Sequence, residues 1–292
     1  MTREASLTDP SSAVHDRLVV FIGGGQMASA LAAGLLHAGW RVSDIVVVEP
    51  NDAQRHRIGE TLGVRTLAGA DPILSEAHVV VWAVKPQAFA SAVKPLLGAL
   101  RAPLHLSIVA GVAICDLSGW LGSQRIVRAM PNTPSLVGAG VTAMLASPGV
   151  TVADRQLAES LLSATAHTFW VDSDERIDAV TAVSGSGPGF IFQFLEDLQA
   201  AAQALGFSQA QARELVIGTA AGSIALARSD DTPLSILRER VTSKGGTTEA
   251  GLAVLASHHL SSAVPLAVRS AYEKAQELSK AFSESSNDHR ID

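Results

Sequence analysis

Leu18-Val19-Val20-Phe21-Ile22-Gly23-Gly24-Gly25-Gln26-Met27-Ala28 places a short apolar run against three glycines and then a helical pattern. An apolar run that does not alternate predicts a strand buried on both faces. Gly23-x-Gly25-x-x-Ala28 matches the dinucleotide fingerprint, and it has the strand and helix that the motif requires on either side. Gly23 permits the tight turn. Gly25 lets a pyrophosphate approach the backbone at a helix N-terminus. Ala28 lets that helix pack close to the sheet.

Outward from this point the first half repeats the same alternation. Apolar runs at 45–48, 78–84, 104–109 and 126–130 read as strands, and 26–37, 52–62 and 87–97 read as helices between them. Such βαβ units predict a parallel, doubly wound sheet of the Rossmann type. Late strands are expected at 141–146 and 168–171, around a helix at 152–164.

After Asp172 strand runs give way to helical ones. Pro188 suits a first helical turn, Gly206 a helix stop, and Ser208 with Gln211 a capping box. The helix that follows, near 209–227, is apolar nearly all round, with Gly218 and Gly222 one turn apart. Such a helix is buried, and in a small helical domain that points to a partner subunit. A last helix is expected at 263–282. The fold class is therefore α/β: an N-terminal Rossmann doubly wound sheet plus a C-terminal all-α dimerisation domain. The expected borders are a disordered arm over 1–16, a dinucleotide-binding domain over 17–174, a helical substrate and dimerisation domain over 175–283, and a disordered tail over 284–292.

Composition limits the function. The 292 residues are 47% hydrophobic and 17% charged, a globular balance. No apolar run is long enough for a membrane span, and the polar N-terminus has no signal-like core. A net charge of -6 argues against nucleic-acid binding. The single cysteine, Cys115, fits a reducing compartment and reads as a small buried hydrophobe. A cytoplasmic location is expected.

Several residues carry chemistry. Glu49 ends the second strand, where an acidic residue accepts the ribose 2′-OH of NAD; Asn51, Arg55 and Arg57 follow and offer an alternative seat for a 2′-phosphate. NAD and NADP both stay open. Lys85, between Val84 and Pro86 at a strand end, is placed to neutralise a phosphate or a carboxylate. Val241-Thr242-Ser243-Lys244-Gly245-Gly246-Thr247-Thr248-Glu249-Ala250-Gly251-Leu252 is small, hydroxylated or cationic before a helix, which describes an anion pocket with a hydroxyl beside it. Adjacent His258 and His259 point about 100° apart on a helix and do not form a metal pair, so no metal site is expected.

Taken in order, IGGGQMA (22–28), AVKPQ (83–87), SIVAGV (107–112), RAMPNTP (128–134), AVTAVSGSGP (179–188) and VTSKGGTTEAGL (241–252) closely resemble the pyrroline-5-carboxylate reductase family, from about Leu18 to Phe282. The resemblance implies reduction of Δ1-pyrroline-5-carboxylate, a cyclic imino acid, to L-proline with NADPH or NADH, the last step of proline synthesis. It implies a homodimer, or a larger assembly of dimers, with each active site shared between subunits. Carried over by position, it assigns Gly23, Gly25, Gln26 and Met27 to the pyrophosphate. Val84, Lys85 and Pro86, with Ala110 and Gly111, go to the nicotinamide ribose and ring, and Asn51 and Asn132 to the cofactor site. Ser243, Gly245, Gly246 and Thr247 go to the substrate carboxylate, and Thr248 to the ring nitrogen as the catalytic hydroxyl.

The chain departs from the family pattern at Lys244, where Pro is usual, at Gly189-Phe190, at Ala256, at Gly69-Ala70-Asp71 and at Glu49-Pro50-Asn51. The last two weaken the case for a 2′-phosphate seat. Two other readings compete. A β-hydroxyacid-type dehydrogenase needs a catalytic lysine in a helix of the second domain, yet after Lys94 only Lys244, Lys274 and Lys280 remain. A non-catalytic NAD(P)-binding regulatory protein would have no need of Thr248 and its glycines.

Overall fold

The computed structural model describes residues 17–287, so the arm expected at 1–16 and the last part of the expected tail lie outside the described residues. The chain divides into two compact units. One runs to Gly185 and takes up the chain again from Tyr272; the other spans Ser186–Ala271. The position expected for the border, 174/175, lies inside the helix Asp174–Val180.

The first unit is built on one sheet. Its strands are β1 (Val19–Ile22), β2 (Ile45–Val48), β3 (Arg65–Leu67), β4 (Val79–Trp82), β5 (Leu104–Ser107), β6 (Ile126–Met130), β7 (Gly140–Ala146) and β8 (Ala166–Trp170). Their order is β3-β2-β1-β4-β5-β6-β7-β8. Neighbours from β3 through β6 pair in parallel, with Val19 opposite both Ile45 and Val79. The continuous apolar runs have a direct cause. Val19 and Phe21 enter the core on one face of the sheet, and Val20 and Ile22 the core on the other. The helices of this unit are α1 (Gln26–His37), α2 (Asp52–Leu62), α3 (Phe89–Val93), α4 (Ile114–Leu121), α5 (Val152–Ser163) and α6 (Asp174–Val180).

Three expectations need correction. First, the sheet is not parallel throughout, because β7 runs antiparallel to β6 and β8 runs parallel to β7. The β6–β7 link holds only a 3-10 turn at Thr133–Val137. A parallel return needs a crossover of about a dozen residues or more, so the short link forces the reversal. Between β7 and β8, α5 supplies the crossover. Second, the helix expected over 87–97 shrinks to α3, with 3-10 turns at Pro86–Ala88 and Leu97–Ala99. Pro95 cannot donate to the helix ladder, and its ring clashes with the preceding turn. Third, the last helix continues to Asn287, beyond the expected start of the tail.

The second unit contains α7 (Gly187–Ala204), α8 (Gln209–Arg228), α9 (Leu234–Arg240), α10 (Thr247–Ser257) and the start of α11 (Leu260–Asn287). The α7–α8 turn follows the sequence signals closely. Gly206 adopts φ 97°, a left-handed value suited to glycine. Ser208 and Gln211 cap α8 reciprocally. The all-round apolar α8 is another matter. Within the single chain only its Ala212 and Val216 are buried, and a Cβ added at Gly218 or Gly222 would meet nothing within 4 Å.

Candidate active site

β1 and β4 are neighbours in the sheet, while the chain leaves β1 towards β2 on the other side. The carboxyl ends of strands at such a switch point leave a crevice. A cleft of about 420 Å³ lies here, lined by Gly23, Gly24 and Gly25 after β1, Glu49 after β2, and Val84 and Lys85 after β4.

The glycine loop is fitted to a bound group. Gly23 has φ 97°, and a Cβ there would stand 2.7 Å from the carbonyl oxygen of Ala83. A Cβ on Gly24 would stand 2.2 Å from Ile58 Cδ1. At Gly25 nothing lies within 4 Å, so the backbone is open to a ligand. Gly25 is also the N-cap of α1, and no side chain caps that helix. The first-turn amides of α1 thus have no internal acceptor, and they sit at the positive end of the helix dipole. This cradle fits a dinucleotide pyrophosphate. Gln26 is exposed and Met27 half-buried in the same turn.

Glu49 is held rather than free. Its Oε2 accepts from the Gly24 amide at 2.8 Å, and its Oε1 accepts from the Asn51 amide at 2.9 Å. The Asn51 side chain caps α2 by accepting from the Gln54 amide at 2.9 Å. Gln54 Nε2 in turn donates to the Gly24 carbonyl. Arg55 is committed to the same turn, donating to the carbonyls of Glu49 at 2.9 Å and Pro50 at 3.2 Å and pairing with Asp52. Arg57 donates to Gln54 Oε1 and lines a different groove, between α1 and α2.

The remaining expected cofactor residues are spread around the sheet edge. Lys85 is exposed and opens the 3-10 turn that Pro86 begins. Gly111 has φ 69°, and a Cβ there would lie 3.6 Å from Leu278 Cβ, so α11 covers this loop closely; Ala110 beside it is exposed. Asn132 is buried and holds its own surroundings. Its Nδ2 donates to Ser184 Oγ at 3.0 Å, and its Oδ1 accepts from the Val141 amide at 2.9 Å. Neither Asn51 nor Asn132 lines the cleft.

In the second unit, Ser243, Gly245, Thr247 and Thr248 are exposed and Gly246 is half-buried. Gly245 has φ 72°, and its amide donates to Glu249 Oε2 at 2.6 Å. Gly246 is the N-cap of α10. Thr247 and Thr248 therefore occupy the first turn, where backbone amides have no acceptor within the helix. Lys244 is exposed.

Arg128 and His105, neither assigned a role from sequence, are among the buried polar residues of the first unit. Arg128 on β6 donates to Asp178 Oδ1 at 2.9 Å and pairs with Asp174. His105 on β5 accepts at Nδ1 from Trp82 Nε1 at 3.2 Å. Cys115 is exposed, contrary to the buried position expected. Burial of its surroundings, and then the Asp116 carboxylate, push the thiol above its usual value, so it is not a thiolate at neutral pH.

Known proteins bear on this arrangement directly. Residues 174–278 match the family model described as pyrroline-5-carboxylate reductase dimerisation. Residues 18–111 match one described as NADP oxidoreductase coenzyme F420-dependent. The pyrroline-5-carboxylate reductase of Vibrio alginolyticus is 38% identical over 92% of this chain and 100% of its own. That of Haemophilus influenzae is also 38% identical, with the same coverage of both chains. Among solved structures, a pyrroline-5-carboxylate reductase from Coxiella burnetii is 37% identical with a TM-score of 0.83, covering 90% of this chain and 98% of its own. A Plasmodium falciparum pyrroline carboxylate reductase with NADP bound is 28% identical with a TM-score of 0.82, covering 91% and 99%. With these relatives, a dinucleotide crevice and a hydroxyl-rich helix start, the chain belongs to the pyrroline-5-carboxylate reductase family, NAD(P)H-dependent oxidoreductases that reduce pyrroline-5-carboxylate to proline.

Proposed function

We propose that this chain performs the family reaction as a homodimer-based enzyme, with the crevice of one subunit serving the Ser243–Thr248 loop of another. The observation that carries the reading is the glycine cradle at the sheet's switch point, open at Gly25. When bound there, NAD(P)H supplies a hydride. The chain's own residues do the rest. Gly23, Gly25, Gln26 and Met27 hold the pyrophosphate. Val84, Lys85 and Pro86, with Ala110 and Gly111, border the nicotinamide end. The Ser243 hydroxyl and the Thr247 amide hold the substrate carboxylate at the start of α10, with Gly245 and Gly246 shaping the loop around it. Thr248 Oγ1 orients the ring nitrogen. A protonated cyclic imine is already an electrophile, so its carbon takes the hydride while the nitrogen keeps its proton. Positioning then replaces a strong acid, and no histidine or carboxylate pair is needed.

The exposed apolar residues of the second unit support the dimer. Phe190, Phe192 and Phe194 of α7 are 40%, 66% and 49% exposed in the single chain, more apolar surface than a monomer ordinarily leaves to water. A cytoplasmic biosynthetic role agrees with the lone, unpaired cysteine and with the reaction. Among the described residues no single helix is long and apolar enough to cross a membrane.

The test is cofactor oxidation by the purified protein. It should require pyrroline-5-carboxylate, and Thr248→Ala should lower kcat/KM by about tenfold or more while Thr248→Ser retains most of it. No turnover with either cofactor at saturating substrate would overturn the reading.

A further inference from the structure

We propose that Glu49 makes this enzyme select NADH over NADPH. The inference rests on the dinucleotide-binding reading of the cleft and concerns the adenosine end of the cofactor.

In a doubly wound sheet the adenosine ribose lies at the end of the second strand, beside the glycine loop. Glu49 stands there and lines the cleft. The Gly24 amide holds one of its oxygens at 2.8 Å and the Asn51 amide holds the other at 2.9 Å. The carboxylate is thus fixed in orientation by two backbone groups from separate segments. A carboxylate oxygen has more than one acceptor site, so each oxygen keeps a lone pair for a further donor. A vicinal diol supplies two hydroxyl donors and satisfies that need. A 2′-phosphate monoester carries close to two negative charges at neutral pH and offers no donor.

Phosphate would be tolerated if a cation stood nearby to receive it. Among the described residues lining the cleft, Lys85 is the only cation, and it belongs to the end of β4, the nicotinamide side. Arg55 and Arg57 do not line the cleft. Arg55 donates to the carbonyls of Glu49 and Pro50 and pairs with Asp52, and Arg57 donates to Gln54. A phosphate entering here meets a fixed like charge, while the neighbouring cation, Arg55, is already committed to two carbonyls and to Asp52, an arrangement that disfavours the ligand.

Fluorescence titration of the full chain with NADH and with NADPH reads both dissociation constants without turnover. NADH is expected to bind more tightly by about tenfold or more, the size of one unfavourable charge contact. Glu49→Gln keeps the shape and one acceptor oxygen, and Glu49→Ser removes the group. Both should tighten NADPH and bring the ratio to about threefold or less, with circular dichroism confirming the fold. Raising the salt concentration should narrow the wild-type ratio and leave that of Glu49→Gln unmoved. Equal or tighter NADPH binding by the wild type overturns the proposal, as does a ratio unchanged in both variants. An NADH preference without turnover upholds it and counts against the reductase reading alone.

Discussion

His105 shows what a single buried residue contributes. It accepts from Trp82 through Nδ1, which requires the neutral ring. Burial first, and the Arg125 charge second, lower its pKa to about 4. In the unfolded chain the value returns to about 6.5. Between these values the unfolded chain binds more protons, so acid favours unfolding. This contribution is complete above about pH 6.5 and is lost as the pH falls towards 4, the loss amounting to roughly 2–3 kcal/mol by pH 4.5. Urea midpoints at pH 7.5 and 4.5 should differ more for the wild type than for His105→Gln; equal differences would remove His105 as the cause. At this scale the sequence was legible where the backbone itself sets the demand. Gly23 is fixed by its left-handed φ and Gly25 by its open face. Glu49 was placed correctly at the end of its strand, but its clamp was not legible, because the Gly24 amide is 25 positions away in sequence. The bond from Asn132 to Ser184 was not legible for the same reason, spanning 52 positions in sequence.

Elements were legible where two signals agreed. α1, α2, β2 and β6 have the bounds expected, since apolar runs there meet glycine, proline or a capping residue. β3 was missed, being three residues long and half-exposed at the sheet edge. α4 and α6 were missed because each has too few turns for periodicity to show. Arg128 explains how α6 is nonetheless fixed. It is 1% exposed and bonds to Asp174 and Asp178 of α6 from its place on β6, while Asp174 also accepts from the Ile114 amide of α4 at 3.3 Å. Removing one partner of a buried pair leaves the other charge uncompensated, at a cost of about 3–5 kcal/mol. Arg128→Met should lower the unfolding free energy by that order. Arg41→Ala, which breaks an ion pair from an arginine 59% exposed, should cost about 1 kcal/mol or less. Similar losses in the two variants would show that the β6–α6 tie carries no special weight.

For the whole molecule, the question is how the second unit becomes stable. α7 buries none of its residues in the single chain, although each large apolar side chain is worth about 1.5–3 kcal/mol when fully covered. Sedimentation should therefore give a dimer or a multiple of one. Phe192→Asp, an innocuous surface change in a monomer, should dissociate it and abolish activity together; a stable, active monomer would contradict the shared-site proposal. The two-domain plan was legible because the sequence period changes near Asp172, but the return of the chain was not. From Tyr272 the last helix belongs with the sheet unit: the Phe282 ring packs on Phe89 at 6.3 Å between centroids, and Ser283 bonds Asp116. This has a consequence for biogenesis. Domains emerging from a ribosome commonly fold in the order in which they are made. Here the sheet unit, though begun first, stays incomplete until the last turns of α11 have been translated.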